Sequence, residues 1–212
     1  MKSAGPTRHA AFTLIELLVV IAIMAIIAGL VVGLNTIASE KKKISRAQIE
    51  RDRLVMLIEA YKTKVGTYPP DNRKSPFNPG VNTLFYELAG AERNKSDPGN
   101  PNYITPFGSI RSNVLQNTFG IGGMLNASDD VVDLDRKQFN RFLRELKPDQ
   151  TNEVAPGTIS FVVPIDGPGA SPRPNPWKYA TGANAVHNPE SFDLWVDIVV
   201  RGQTRTIGNW KE

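Results

Sequence analysis

The sequence contains no cysteine. That excludes a disulfide framework, a thiol nucleophile and any thiolate site for zinc or an iron–sulfur cluster. Histidine is nearly as scarce: His9 and His187 are the only two, far apart in the chain, so no imidazole cluster is at hand to hold a transition metal. A glycine-rich phosphate loop and a serine elbow are also missing, and an enzyme is not expected. Nor is there a strong charge bias. Lysine and arginine number 25 against 21 acids, and the basic residues form a single run, Lys41-Lys42-Lys43. Nucleic-acid binding is therefore not expected.

What the sequence does hold is an uneven spread of apolar residues. Residues 1–11 carry Lys2, Arg8 and His9 and no apolar run. Then come Phe12-Thr13-Leu14-Ile15-Glu16 and an unbroken apolar stretch of eighteen residues from Leu17 to Leu34. As a helix this stretch would be about 27 Å long, close to the hydrocarbon thickness of a bilayer. A basic leader before such a segment reads as an export signal or a membrane anchor. The run is longer than the roughly 7–15 apolar residues of an ordinary cleaved signal. An ordinary anchor fits the length and leaves Glu16 unexplained, since a deeply placed carboxylate costs about 2.5–3.5 kcal/mol on insertion scales. Glu16 is thus a functional candidate.

The order Ala11-Phe12-Thr13-Leu14-Ile15-Glu16-Leu17-Leu18-Val19-Val20, behind a basic leader, resembles the type IV prepilin signature. The resemblance implies that a membrane-embedded aspartyl peptidase cuts between Ala11 and Phe12 and methylates the new amine of Phe12. It also makes Glu16 the acid that the family carries at its fifth mature position. Ala11 departs from the family's usual Gly; it is the nearest small substitute, so cleavage is still expected, at an unchanged or a slower rate. In a filament, Glu16 of one subunit would pair with the Phe12 amine of a neighbour, setting axial register more than adding net stability. Lys41, Lys42, Lys43 and Arg46 outnumber Lys2 and Arg8, so a positive-inside count alone would keep the C-terminal part in the cytoplasm. The motif implies the reverse orientation.

Beyond the apolar run, Ile37, Ile44, Ala47, Leu54, Ile58, Tyr61 and Val65 recur at helical offsets, and charged residues fill the other faces. This stripe is expected to pack on a sheet, and Gly66 with Pro69-Pro70 ends the helix. The ending Tyr61…Gly66…Tyr68-Pro69 looks like that of the major pseudopilin of type II secretion systems. Asn175-Pro176-Trp177-Lys178-Tyr179, Ser191-Phe192-Asp193-Leu194-Trp195 and Ile207-Gly208-Asn209-Trp210 resemble its later strands. The resemblance covers about residues 8–70 and 173–212 and implies an α+β, pilin-like fold: a long N-terminal helix on a small antiparallel sheet. Residues 91–157 read as an insertion. Within it a helix is expected from Asp129 to Leu146, capped by Ser128 and stopped by Pro148. Strands are expected at Thr158–Val163, Phe192–Val200 and Thr204–Ile207.

Pseudopilins of this type often hold Ca²⁺ in an Asp- and Gly-rich loop between the last strands. Calcium takes six to eight oxygens, and the stretch 196–205 offers one acid and two arginines instead. Calcium is therefore disfavoured, with Asp193 and Asp197 as the weak candidates. The expected organisation is a leader at 1–11, an assembly helix at 12–35, its amphipathic continuation at 36–66 and a globular module at 67–212. The function it implies is that of a structural subunit of a pilus-like filament, a pseudopilin of type II secretion or a relative. The alternatives are a type IV pilin for adhesion, motility or DNA uptake, and a membrane-anchored binding module. Expected partners are copies of itself, other pseudopilins, a prepilin peptidase, an assembly platform and membrane lipid. The expected location is the bacterial inner membrane, single-pass, with the globular part periplasmic.

Overall fold

The computed structural model describes residues 13–94, 96–129, 140–169 and 174–210, the side chains of 30–38 and 129 excepted. Helix α1, Leu14–Val65, runs through 52 residues. The chain divides into two compact units, residues 1–43 and 44–212. In the first unit the described structure is the start of α1, with Leu14, Ile15, Leu17, Leu18, Met24 and Ile26 all exposed. Among the described residues no helix is long and apolar enough to cross a membrane. The described side chains of the apolar run end at Gly29.

The second unit is built on the later half of α1. Ala47, Leu54, Ile58 and Tyr61 are fully buried, with Ile44 and Val65 packed beside them, so the expected stripe is the core face. Ile37 belongs to the same stripe and lies outside the described side chains. Burying side chains such as Leu54 and Ile58 contributes about 1.5–3 kcal/mol each. The helix stops because Gly66 turns to φ +94°, a conformation that residues with a Cβ resist. Pro69 and Pro70 then keep the chain extended.

A short buried helix, α2 (Leu84–Ala89), leads into β1 (Ala91–Asn94), β2 (Asn102–Thr105), β3 (Gly108–Arg111), α3 (Ser112–Phe119) and β4 (Ala127–Asp129). These four strands form one sheet in the order β3-β2-β1-β4, with β1 and β4 parallel. A second sheet joins β5 (Thr151–Ala155), β6 (Thr158–Val163) and β7 (Asn175–Pro176). The third has the order β10-β9-β8, from β8 (Lys178–Thr181), β9 (Phe192–Val200) and β10 (Gln203–Gly208). The fold is thus α+β, an N-terminal helix packed on antiparallel sheets, consistent with a pilin-like fold. On β9 the period of two is plain: Leu194, Val196, Ile198 and Val200 are buried, while Trp195, Asp197 and Val199 are partly exposed.

The helix expected at Asp129–Leu146 is not there in its described part. Ser128 lies in β4 rather than at a helix cap, residues 130–139 lie outside the described residues, and Asn140–Lys147 has no helical structure. The reason is tertiary. The Phe142 and Leu143 amides both donate to Leu88 O (3.1 and 2.9 Å). Asn140 exchanges two bonds with the Asn126 side chain, and Arg53 donates to Glu145 O. External partners therefore take main-chain groups that a helix would pair internally. Phe142, Leu143 and Leu146 still pack on the core, which is what their spacing reported. Among the described residues of 91–157 the helix is α3, and the Asn175–Tyr179 strand is broken at Trp177 into β7 and β8.

Candidate functional site

The start of α1 is locked by a reciprocal capping box. The Thr13 amide and hydroxyl both donate to Glu16 Oε2 (2.9 and 2.8 Å), and the Glu16 amide donates to Thr13 Oγ1 (3.3 Å). Two main-chain N–H groups that a helix start leaves unpaired are satisfied in this way. Only Oε2 accepts in these bonds. The carboxylate stands among exposed apolar neighbours, Leu14 being 81% exposed. One acid at the head of an apolar helix surface suits packing in an apolar medium, and among the described residues no cation pairs with it. The role of Thr13 escaped the sequence reading, although the Thr-x-x-Glu spacing signals it. Ala11 and Phe12, the expected cleavage and methylation positions, lie outside the described residues.

The two weak calcium candidates lie on β9, and the protein's own donors occupy both. Asp193 is buried and accepts from the amides of His187 and Asn188 (2.8 and 2.9 Å) and from Asn188 Nδ2 (2.9 Å). Asp197 pairs with Lys178 and accepts from Thr206 Oγ1 (2.6 Å). The arrangement is a stitch rather than a cage of free oxygens. Among the described residues no three His, Cys, Asp or Glu side chains cluster as a metal would need. The other late motifs are stitches too. Asn209 accepts from Leu194 N and donates to Phe192 O (both 2.9 Å), and Asn175 donates to Ile165 O and Asp197 O.

Sequence reasoning missed one buried acid. Glu87 on α2 is fully buried and accepts from Tyr61 Oη (2.7 Å) and from the Leu125 and Asn126 amides (both 2.9 Å). It ties α1, α2 and the loop before β4 together. Burial pushes its carboxyl above the usual range, opposed by these three donors. The Tyr61 hydroxyl is raised by burial and by the nearby Glu87 charge. No short pattern in the sequence marks such a residue, because its partners lie 26 to 39 positions away.

A long helix that opens with a paired acid amid exposed apolar side chains, and whose later half packs on antiparallel sheets, is the build of subunits that assemble through their N-terminal helices. Residues 6–32 match the family model of the prokaryotic N-terminal methylation motif. The chain thus carries a type IV prepilin-like leader, which implies membrane anchoring, processing by a prepilin peptidase and assembly into pilus-like filaments. No curated protein and no solved structure matches the chain.

Proposed function

We propose that the chain is a structural, non-catalytic filament subunit, a pseudopilin of a type II protein secretion system or a relative. In this reading it waits in the bacterial inner membrane with its globular unit on the periplasmic side. Cleavage between Ala11 and Phe12 and methylation of Phe12 prepare it for assembly with copies of itself and other pseudopilins on an inner-membrane platform. The observation that carries the reading is the methylation motif at 6–32 running into a helix whose apolar side chains are exposed while its one early acid is held at the first turn. Transfer of that surface out of water is favourable by about 25 cal/mol per Å², and lipid before assembly and neighbouring helices after it both provide the apolar contact.

The test is intact mass and N-terminal sequencing of the chain co-expressed with a prepilin peptidase. A mature chain beginning at N-methylated Phe12 supports the proposal. A chain still beginning at Met1 would favour a membrane-anchored binding module. Dependence of secretion, rather than of adhesion or motility, on the gene then separates a pseudopilin from a type IV pilin.

A further inference from the structure

A cleft of about 600 Å³ lies between α1 and β10, lined by Gln48 and Arg51 of the helix, by Thr204 to Gly208 of the strand and by Trp210. Five consecutive residues of β10 line it, so the cleft runs along the strand rather than over one face of it. In the described sheets β10 is an edge, paired with β9 on one side only.

The direction of each main-chain group on β10 follows from its neighbour. On β9, Val199 N donates to Asp166 O and Asp197 O accepts from Asn175, both away from β10. Leu194 O accepts from Asn209 N, toward the β10 side. Main-chain groups alternate along a strand, so the even-numbered residues of β9 face β10. Their partners are Gln203, Arg205 and Ile207, from the pairs 200↔203, 198↔205 and 196↔207. Thr204, Thr206 and Gly208 therefore turn their N–H and C=O groups outward into the cleft. Gly208 O confirms the direction, since it accepts from Arg51 Nη1 (2.9 Å). Side chains alternate as well. Arg205 shares the face of buried Ile207, on the helix side, and Thr206 shares the opposite face with its partner Asp197.

We infer that this cleft is a strand-addition site for an extended acidic peptide of a partner protein. The peptide would pair with the outward groups of Thr204 and Thr206, and its carboxylates would face exposed Arg205 on the helix side, Arg51 being held by Asp52 and Gly208 O. Such pairing draws affinity from main-chain bonds and specificity from alternate side chains. Thr204 to Ile207, short of the Gly208 carbonyl that Arg51 occupies, presents about 14 Å of edge, enough for roughly four residues. Charge selects the occupant. Edge-to-edge pairing of two copies would bring the Arg205 side chains of both chains together, which opposes that alternative.

The probe is a fluorescein-labelled peptide, Thr-Glu-Val-Asp-Val-Glu-Thr, added to the full chain in detergent at low salt and followed by anisotropy. The control peptide carries lysine at its three acidic positions. The acidic peptide is expected to bind at least roughly tenfold more tightly than the control, and Arg205→Glu is expected to weaken it by a similar factor. On binding, the Thr204 and Thr206 amides gain hydrogen-exchange protection while those of Arg205 and Ile207, already paired with β9, do not change. Thr204→Pro removes an outward donor without touching a β9 bond, and should weaken binding with the fold intact by tryptophan fluorescence. Absence of binding, equal binding of the two peptides, or binding without protection at Thr204 and Thr206 would overturn the inference. So would protection of these amides by raised protein concentration alone, which assigns the edge to a second copy.

Discussion

Replacing Glu87 by alanine removes the acceptor of three donors at once, and two of them, Tyr61 Oη and the Asn126 amide, have no route to water. The third, the Leu125 amide, is only part-buried, and solvent can take it. A buried donor left unpaired costs about 1–3 kcal/mol, so the two give about 2–6 kcal/mol. Relief of burying a carboxyl without a cation offsets part of this, and a net loss of about 2–4 kcal/mol is expected, a large fraction of a typical domain's stability. Glu87→Gln keeps the volume and one acceptor oxygen, turning a single acceptor into a donor, and should cost about 1–2 kcal/mol. Urea unfolding of the detergent-solubilised chain, followed by tryptophan fluorescence, reads these losses directly. All three tryptophans, Trp177, Trp195 and Trp210, lie in the second unit. A loss below about 1 kcal/mol for alanine, or a larger loss for glutamine than for alanine, would refute the reasoning.

The raised carboxyl of Glu87 also sets a pH dependence. The native state holds this proton to higher pH than the unfolded chain, so its contribution to stability is complete below the ordinary value of 4.5 and is lost as pH rises through the folded value; Glu87→Gln should flatten that slope in a pH series of urea midpoints. Glu16→Leu strips the carboxylate charge and half of the capping box, and filament yield should fall sharply, since a stranded partner charge costs about 3–5 kcal/mol. Thr13→Ala is its control, removing the cap but not the acid: it should cost about 0.5–2 kcal/mol of helix-end stability and leave assembly, scored by electron microscopy of sheared filaments, largely intact. Gly208→Ala would place a Cβ 2.7 Å from the Trp210 ring, so the ring must leave its stack on His187 (3.9 Å between centroids). A loss of about 1–3 kcal/mol in the same urea assay is expected from such overpacking.

The parts of this protein legible in the sequence are those in which local pattern and tertiary role agree. Strand β6 is bounded by Gly157 and Pro164 and is rich in β-branched and aromatic residues, β9 alternates in and out, and the stripe from Ala47 to Tyr61 is periodic; each forms where the pattern places it. Glu16 stood out because a lone acid before an apolar run is costly. The illegible parts depend on distant partners. Phe142, Leu143 and Leu146 have helical spacing, yet the Leu88 carbonyl and the Asn126 side chain hold that backbone instead. The sheet of β1 to β4 rests on strands of three or four residues, too short for a period of two to show. Glu87 reads as an ordinary helical acid, because nothing nearby announces that Tyr61 will close over it.

The capping box at Thr13 has a consequence for the chain's two lives. Among the described residues, the side chains that cap the helix start are those of Thr13 and Glu16, downstream of the bond that the leader motif marks for cleavage. The capping box therefore draws on nothing in residues 1–11, and a chain cut after Ala11 keeps both of its members. Glu16 also divides its labour by atom. Oε2 serves its own chain, and Oε1 takes no part in the box. In the proposed filament, one carboxylate would hold its own helix end in shape and offer its second oxygen to another subunit, so docking would not need to undo the capping box.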